Sequence, residues 1–351
     1  MTGVSQPARG GLEDVPRTVI PLSRKDFASN QEVRWCPGCG DYAILSAVQG
    51  LLSELGLRRE NTVFVSGIGC SSRFPYYLNT YGLHSIHGRA PAIATGLATM
   101  REDLSVWVVT GDGDALSIGG NHLIHAMRRN VNLTILLFNN RIYGLTKGQS
   151  SPTSEAGKLT KSTPMGSVDA PFNPVSLALG AEATFVARTV DSDRQHLTEV
   201  LAAAAGHRGS ALVEIYQNCP IFNDGAFSGL KGGSDAVIPL RHGTPIRFGT
   251  KGLVWDPGAG RVRVAEVNDV GESALLVHDA HAEDPTMAFA ISRLTSAGRL
   301  ERAPIGIFRQ VVKPAHDDLV RAQVASVRDG AAAPESELAD LLEGGDAWTV
   351  G

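Results

Sequence analysis

Only four cysteines occur in 351 residues: Cys36, Cys39, Cys70 and Cys219. That is too few for a small disulfide-stapled scaffold, and a chain of this length can bury a core without one. No apolar run reaches about 18 residues, so no membrane span is expected. The opening MTGVSQPARGGLEDVPR has no apolar segment of the secretory kind. Residues 1–25 are expected to be a flexible tail, and the protein cytoplasmic. A net charge of −4 offers no electrostatic footing for nucleic acid. Dinucleotide and P-loop phosphate signatures, G-x-G-x-x-G and G-x-x-x-x-G-K-[ST], are not the pattern here.

Glycine, by contrast, is abundant, at 39 residues. The densest information lies between Ser105 and Gln149. Ser105–Thr110 is a Val-rich run of the buried-strand type, ending at Gly111-Asp112-Gly113-Asp114. A helical pattern follows, with Leu123, Ile124 and Met127 at helical spacing. The apolar run Leu133–Phe138 then stops at Asn139-Asn140. This is a βαβ unit, so its strands should be parallel. Asp112 and Asn140 then fall just past the carboxyl ends of two strands, the edge where open parallel sheets bind ligands. A carboxylate, an amide oxygen and a backbone carbonyl near Ile142 are hard oxygen donors. They suit Mg²⁺ holding a diphosphate, with bare N–H groups around Gly113 adding to the anion site. A lone GDG would more often be a tight turn with a solvated Asp. The second strand end at NN reverses that reading.

Around this unit the pattern is α/β. A helix over Tyr42–Leu55, capped by Asp41, is followed by a strand at Asn61–Ser66 and the turn Gly67-Ile68-Gly69-Cys70-Ser71-Ser72-Arg73. A small-residue helix spans Ala92–Met100. The polar stretch 148–171 is long for a loop, and such loops are usually functional or mobile. Beyond it come a helix at Pro174–Leu179, a strand at Ala183–Ala187, a helix at Arg194–Ala205 and a strand, apolar on both faces, at Ser210–Tyr216. Residues 26–224 are taken as one domain, 225–252 as a connector and 253–351 as a separate extension, a cover or a subunit contact. That extension should carry a helix from Asp284-Pro285 to Leu294, a strand at Pro304–Val312 and a short acidic helix at Ser336–Leu342. Cys70 and Cys219 both follow strands, on the same edge as Asp112 and Asn140. Four thiols can close a tetrahedral zinc site or an iron–sulfur site. A Cys36–Cys39 redox pair would leave Cys70 and Cys219 unexplained.

GDG…NN at this separation, IYGLTKGQ after it, and WCPGCG and GIGCSSRFPYY before it resemble the β subunits of 2-oxoacid:ferredoxin oxidoreductases. The resemblance covers roughly Val33 to Phe222. It implies a thiamine-diphosphate-binding fold, a mostly parallel sheet with helices on both faces, plus a C-terminal extension. It implies that Asp112, Asn140 and the Ile142 carbonyl hold Mg²⁺. Gly113, Asp114, Gly144 and Leu145 would line the diphosphate, and Ile68, Gly69, Cys70 and His87 would approach the cofactor rings. Ser71, Gly88, Gly111 and Thr146 complete the expected cofactor set. One [4Fe–4S] cluster is expected on Cys36, Cys39, Cys70 and Cys219, with zinc as the alternative. Cys70 favours iron, because it would place an electron acceptor beside the thiamine. His87, Arg73 and Lys147 are the candidates for proton transfer and substrate binding. His122, His125, Arg128 and Arg129 are read as structural.

Thiamine enzymes need a carboxylate to polarise the aminopyrimidine, and no Glu here lies in a motif for that task. The resemblance assigns it to a partner α subunit, in an α2β2 assembly. The implied activity is oxidative decarboxylation of a 2-oxoacid, 2-oxoglutarate before pyruvate, with coenzyme A as acyl acceptor and ferredoxin as electron acceptor. The alternatives are a non-redox thiamine-dependent decarboxylase and a zinc-holding structural subunit.

Overall fold

The computed structural model describes residues 10–233, 235–295 and 300–330, with 338, 341, 342 and 344. The elements in order are α1 (Asp41–Glu54), β1 (Thr62–Ser66), β2 (Tyr81–His84), α2 (Ala90–Met100), β3 (Ser105–Gly111), α3 (Asp112–Leu116), α4 (Gly120–Arg128) and β4 (Leu133–Asn139). They continue with α5 (Pro174–Gly180), β5 (Phe185–Val190), α6 (Arg194–Gly206), β6 (Ser210–Tyr216), β7 (Val237–Leu240), β8 (Arg247–Phe248), β9 (Lys251–Asp256) and β10 (Arg261–Glu266). The last are the one-turn α7 (Val267–Val270), α8 (Thr286–Ser292), β11 (Ala303–Gln310) and α9 (His316–Gly330). No helix among the described residues is long and apolar enough to cross a membrane.

Eight strands form one sheet in the order β2-β1-β3-β4-β6-β5-β11-β7. The first six run parallel, and β11 pairs antiparallel to β5. Every residue of β1 and β4 is buried, because helices cover both faces. The pleat still sorts the side chains. Val63, Val65, Val106, Val108, Ile135 and Leu137 join α2, α4, α5 and α8 on one face. Phe64, Trp107, Val109, Leu136 and Phe138 join α1 and α6 on the other. The mostly parallel α/β sheet read from the sequence is therefore present.

Five expectations need correction. Residues 10–25 are packed on the domain: Leu12 and Val15 are buried in the α1/α6 core, and Asp14 pairs with Arg208 at 3.2 Å. The helix after GDG is two pieces, α3 and α4, because Ser117 leaves helical geometry at ψ −110°. Strand β5 starts at Phe185 rather than Ala183. The Ala183 N–H donates to the Ala178 carbonyl at the end of α5, at 3.0 Å, and its carbonyl accepts from the Arg309 side chain, so both of its backbone groups are taken outside the ladder. The extension is not a separate layer either. β11 inserts beside β5 and carries β7, from the expected connector, on its far side, while β8, β9 and β10 form a small antiparallel sheet. The helix expected from Asp284 is the shorter α8, with Asp284 Oδ1 accepting the Thr286 N–H at 2.8 Å. The acidic helix expected at 336–342 falls mostly outside the described residues.

Candidate active site

Because β1, β3, β4 and β6 are neighbours and parallel, their carboxyl ends open at one edge. A cavity of about 350 Å³ lies there. Ile68 to Ser71, His87, Gly111 to Asp114, Asn140, Ile142 and Gly144 to Thr146 all line it, and Phe138 and Tyr143 complete it. Of the expected cofactor set only Gly88 lies behind the wall. Its φ of +72° needs glycine, and a Cβ there would come within 2.6 Å of the Gly119 nitrogen. Its N–H donates to Asp114 Oδ1 at 2.7 Å.

Asp114 is a bracket. Oδ1 also accepts from the Ile68 N–H at 3.1 Å and meets His87 Nδ1 at 2.7 Å, while Oδ2 accepts from Thr110 at 2.6 Å. One buried carboxylate thus ties the turns after β1, β2 and β3 together, and leaves His87 only Nε2 for a ligand. Asp112 is 2% exposed, and its Oδ2 accepts from the Thr153 hydroxyl at 2.6 Å. Burial raises its pKa to about 6. A carboxylate desolvated this far calls for a cation. Asn140 Oδ1 accepts the Ile142 N–H at 3.1 Å, which shapes the turn beyond β4. Tyr143 donates to the Gly113 carbonyl at 2.9 Å, and a Cβ on Gly113 would overlap its ring. The GDG and NN turns are therefore locked to each other. Asp112, Asn140 and Ile142 line this one cavity, and a carboxylate, an amide oxygen and a backbone carbonyl are the donor types that Mg²⁺ takes, while glycine-lined turns suit a diphosphate. The acidic residues lining the cavity are Asp112 and Asp114, both engaged.

A second cavity, of about 260 Å³, adjoins the first and is lined by Cys36, Cys39, Cys70 and Cys219. Cys70, Asn140, Gly144 and Leu145 line both. A Cβ on Gly144 would sit 3.6 Å from Cys70 Sγ and 3.7 Å from Cys219 Sγ, so two thiols flank one bare backbone position. The Gly40 N–H donates to the Asn218 carbonyl at 3.1 Å and ties the C-x-x-C loop to the end of β6. Trp35 Nε1 donates to the Cys70 carbonyl at 2.7 Å and Gln217 Nε2 to Cys39 Sγ at 3.3 Å. The four are free thiols. Burial, with the other thiols and Asp41 close by, pushes Cys70 up to about 12 and Cys39 further. Such thiols lose their protons to a metal rather than to water. The sulfurs are gathered without forming a cage: among the described residues no three His, Cys, Asp or Glu side chains stand at coordinating positions. The donor set fits a thiolate-bound metal centre.

Arg73 and Lys147 line the cysteine cavity, not the one around Asp112. Arg73 also faces a groove of about 430 Å³ with Arg34, Tyr76 and His84, which meets the first cavity at Ile68, Gly69 and Leu145. Lys147 has φ +76° in the turn Gly144–Gly148. Sequence reasoning missed Thr153, Tyr143 and the support behind Asp112. Asn139 Nδ2 donates to Glu214 at 2.7 Å, and Glu214 pairs with fully buried Arg188 at 2.6 Å. The available signal was a Glu and an Arg inside two strands, Glu214 in a run read as apolar.

The family of thiamine pyrophosphate enzymes, C-terminal TPP binding domain, matches residues 67–215. The chain is 66% identical over 340 residues to a Mycobacterium tuberculosis protein described as 2-oxoglutarate oxidoreductase subunit KorB, covering 96% of this chain and 91% of that one. It is 48% identical to 2-oxoacid:ferredoxin oxidoreductase 1, subunit beta, of Aeropyrum pernix, over 54% of this chain and 60% of the relative. Among solved structures, a 2-oxoglutarate:ferredoxin oxidoreductase from Magnetococcus marinus, with 2-oxoglutarate, coenzyme A and succinyl-CoA bound, superposes with a TM-score of 0.73. It is 33% identical, over 91% of this chain and 96% of that chain.

Proposed function

The chain belongs to the family of 2-oxoacid:ferredoxin oxidoreductase β subunits, and from that premise we propose how its two cavities divide the work. The enzyme oxidatively decarboxylates 2-oxoglutarate to succinyl-CoA and CO₂, with this chain binding thiamine diphosphate. The electrons leave to ferredoxin, and a partner α subunit in an α2β2 assembly supplies the missing carboxylate. The setting is the cytoplasm. Bound thiamine diphosphate supplies the nucleophilic carbon and the electron sink for loss of CO₂. Asp112, Asn140 and the Ile142 carbonyl hold Mg²⁺, while the N–H groups around Gly113 meet the diphosphate. Asp114 holds His87 at the rim, where Nε2 can hold or pass a proton. Cys36, Cys39, Cys70 and Cys219 hold one [4Fe–4S] cluster. Arg73 and Lys147, at the edge shared with Leu145, meet the distal carboxylate of 2-oxoglutarate.

The observation that carries this reading is Cys70, which lines both cavities. A thiol in that position serves a redox centre beside the thiamine site, and zinc would have no electron to accept there. The test is the absorption of the anaerobically purified protein with its partner subunit. A broad band in the visible blue that dithionite bleaches is expected. A colourless protein that contains zinc would overturn the cluster, and loss of thiamine diphosphate on gel filtration with Mg²⁺ would overturn the cofactor site.

A further inference from the structure

We infer that Thr153 is a positioning residue for Asp112: its hydroxyl fixes one oxygen of the carboxylate so that the other is presented to the metal. The inference rests on the reading of Asp112 as a metal ligand. Thr153 lies in the irregular stretch after β4, far from the GDG turn in sequence, yet it is 2% exposed. Its Oγ1 is 2.6 Å from Asp112 Oδ2 and 2.9 Å from Asn139 Oδ1. A hydroxyl has one proton to give. Asn139 turns its Nδ2 toward Glu214 at 2.7 Å, so it is its Oδ1 that faces Thr153. Of the two oxygens facing the hydroxyl, the carboxylate's is both charged and nearer, which assigns it the proton.

Thr153 is itself pinned. Its carbonyl accepts from Arg141 Nε at 3.0 Å, and the neighbouring Ser154 hydroxyl donates to the Arg141 carbonyl at 2.7 Å. Asn139 and Arg141 flank Asn140. The same segment therefore registers the end of β4, which presents Asn140, against Asp112 at the end of β3. Partners that orient a ligating carboxylate are worth about 10–100-fold in metal affinity.

The experiment uses the chain purified with its partner subunit and Mn²⁺ as the probe, with thiamine diphosphate saturating. Thr153→Val keeps the shape and removes the hydroxyl; Thr153→Ser keeps the hydroxyl. Val is expected to weaken Mn²⁺ binding by about 10–100-fold and to change its electron paramagnetic resonance spectrum, and Ser to stay within about threefold of wild type. The visible absorption of the cysteine centre should not change in either. Wild-type affinity and spectrum in the Val variant, or equal losses in Val and Ser, would reduce Thr153 to a loop anchor. If the Val variant does not fold, Thr153→Ala decides: a loss of about tenfold or more beside a Ser variant near wild type supports the role, and wild-type affinity in Ala overturns it. Wild-type protein that takes up no Mn²⁺ with thiamine diphosphate would overturn both the role and the functional reading beneath it.

Discussion

The cavity around Asp112 and the cavity around the cysteines share Cys70, Asn140, Gly144 and Leu145, yet they are assembled differently. In the first, oxygen donors sit at consecutive strand ends, and hydrogen bonds from Tyr143 and Thr153 fix the two turns before any ligand arrives. In the second, three segments that are distant in sequence bring sulfur to a wall that also carries Arg34, Arg73 and Lys147. Oxygen sites can be held by the protein's own donors. Thiols make only weak hydrogen bonds, so no comparable network holds the sulfurs. One site is thus fixed by hydrogen bonds within the chain, and the other is gathered by backbone and packing alone.

The sharpest way to break that contrast is to remove one sulfur. Cys219→Ser should abolish the visible absorption and ferredoxin reduction while thiamine diphosphate still binds. Full iron content and activity in this variant would end the four-ligand assignment. The converse substitution, Asp112→Ala, should abolish Mg²⁺-dependent binding of thiamine diphosphate and leave iron content unchanged, as read by calorimetry and metal analysis. Parallel loss of both centres in either variant would mean the cavities are not independent.

A smaller effect is expected from the layer beneath. Glu214→Gln leaves Arg188 buried without its counter-charge, which should cost about 3–5 kcal/mol in chemical denaturation. An unchanged midpoint would show that the buried pair adds nothing to the stability of the sheet beneath the first cavity. The smallest effect falls on the wall of the cysteine cavity, at Lys147. Lys147→Gly would remove the charge-assisted contact proposed for the distal carboxylate, worth roughly 1.5–3 kcal/mol, or about one to two powers of ten in kcat/KM on 2-oxoglutarate. Pyruvate turnover should hold or improve. The fold should not suffer, because glycine suits φ +76° better than lysine does. Equal losses on both substrates would assign Lys147 to the cysteine centre it lines rather than to substrate choice.

Most residues lining the first cavity were named through the family resemblance of their motifs; by pattern alone the sequence determined the parallel sheet and the strand-end turns that carry Asp112, Gly113 and Asn140. These are local: an apolar run, a glycine turn and a polar residue just past a strand end fix where each group must lie once the strands are parallel. The cysteines could be grouped in the same way, since Cys70 and Cys219 both follow strands. Only the tertiary structure decided what supports those groups. Thr153, Glu214 and Arg188 act across strands or from an irregular segment, and no periodicity marks them. The same holds for β11, whose antiparallel entry beside β5 takes the C-terminal region into the main sheet. Lys147 and Arg73 could be placed near the site from their positions after two turns, but which wall each faces depends on backbone geometry such as the positive φ at Lys147. Local pattern places a residue at an edge; the packing of distant segments decides what it touches there.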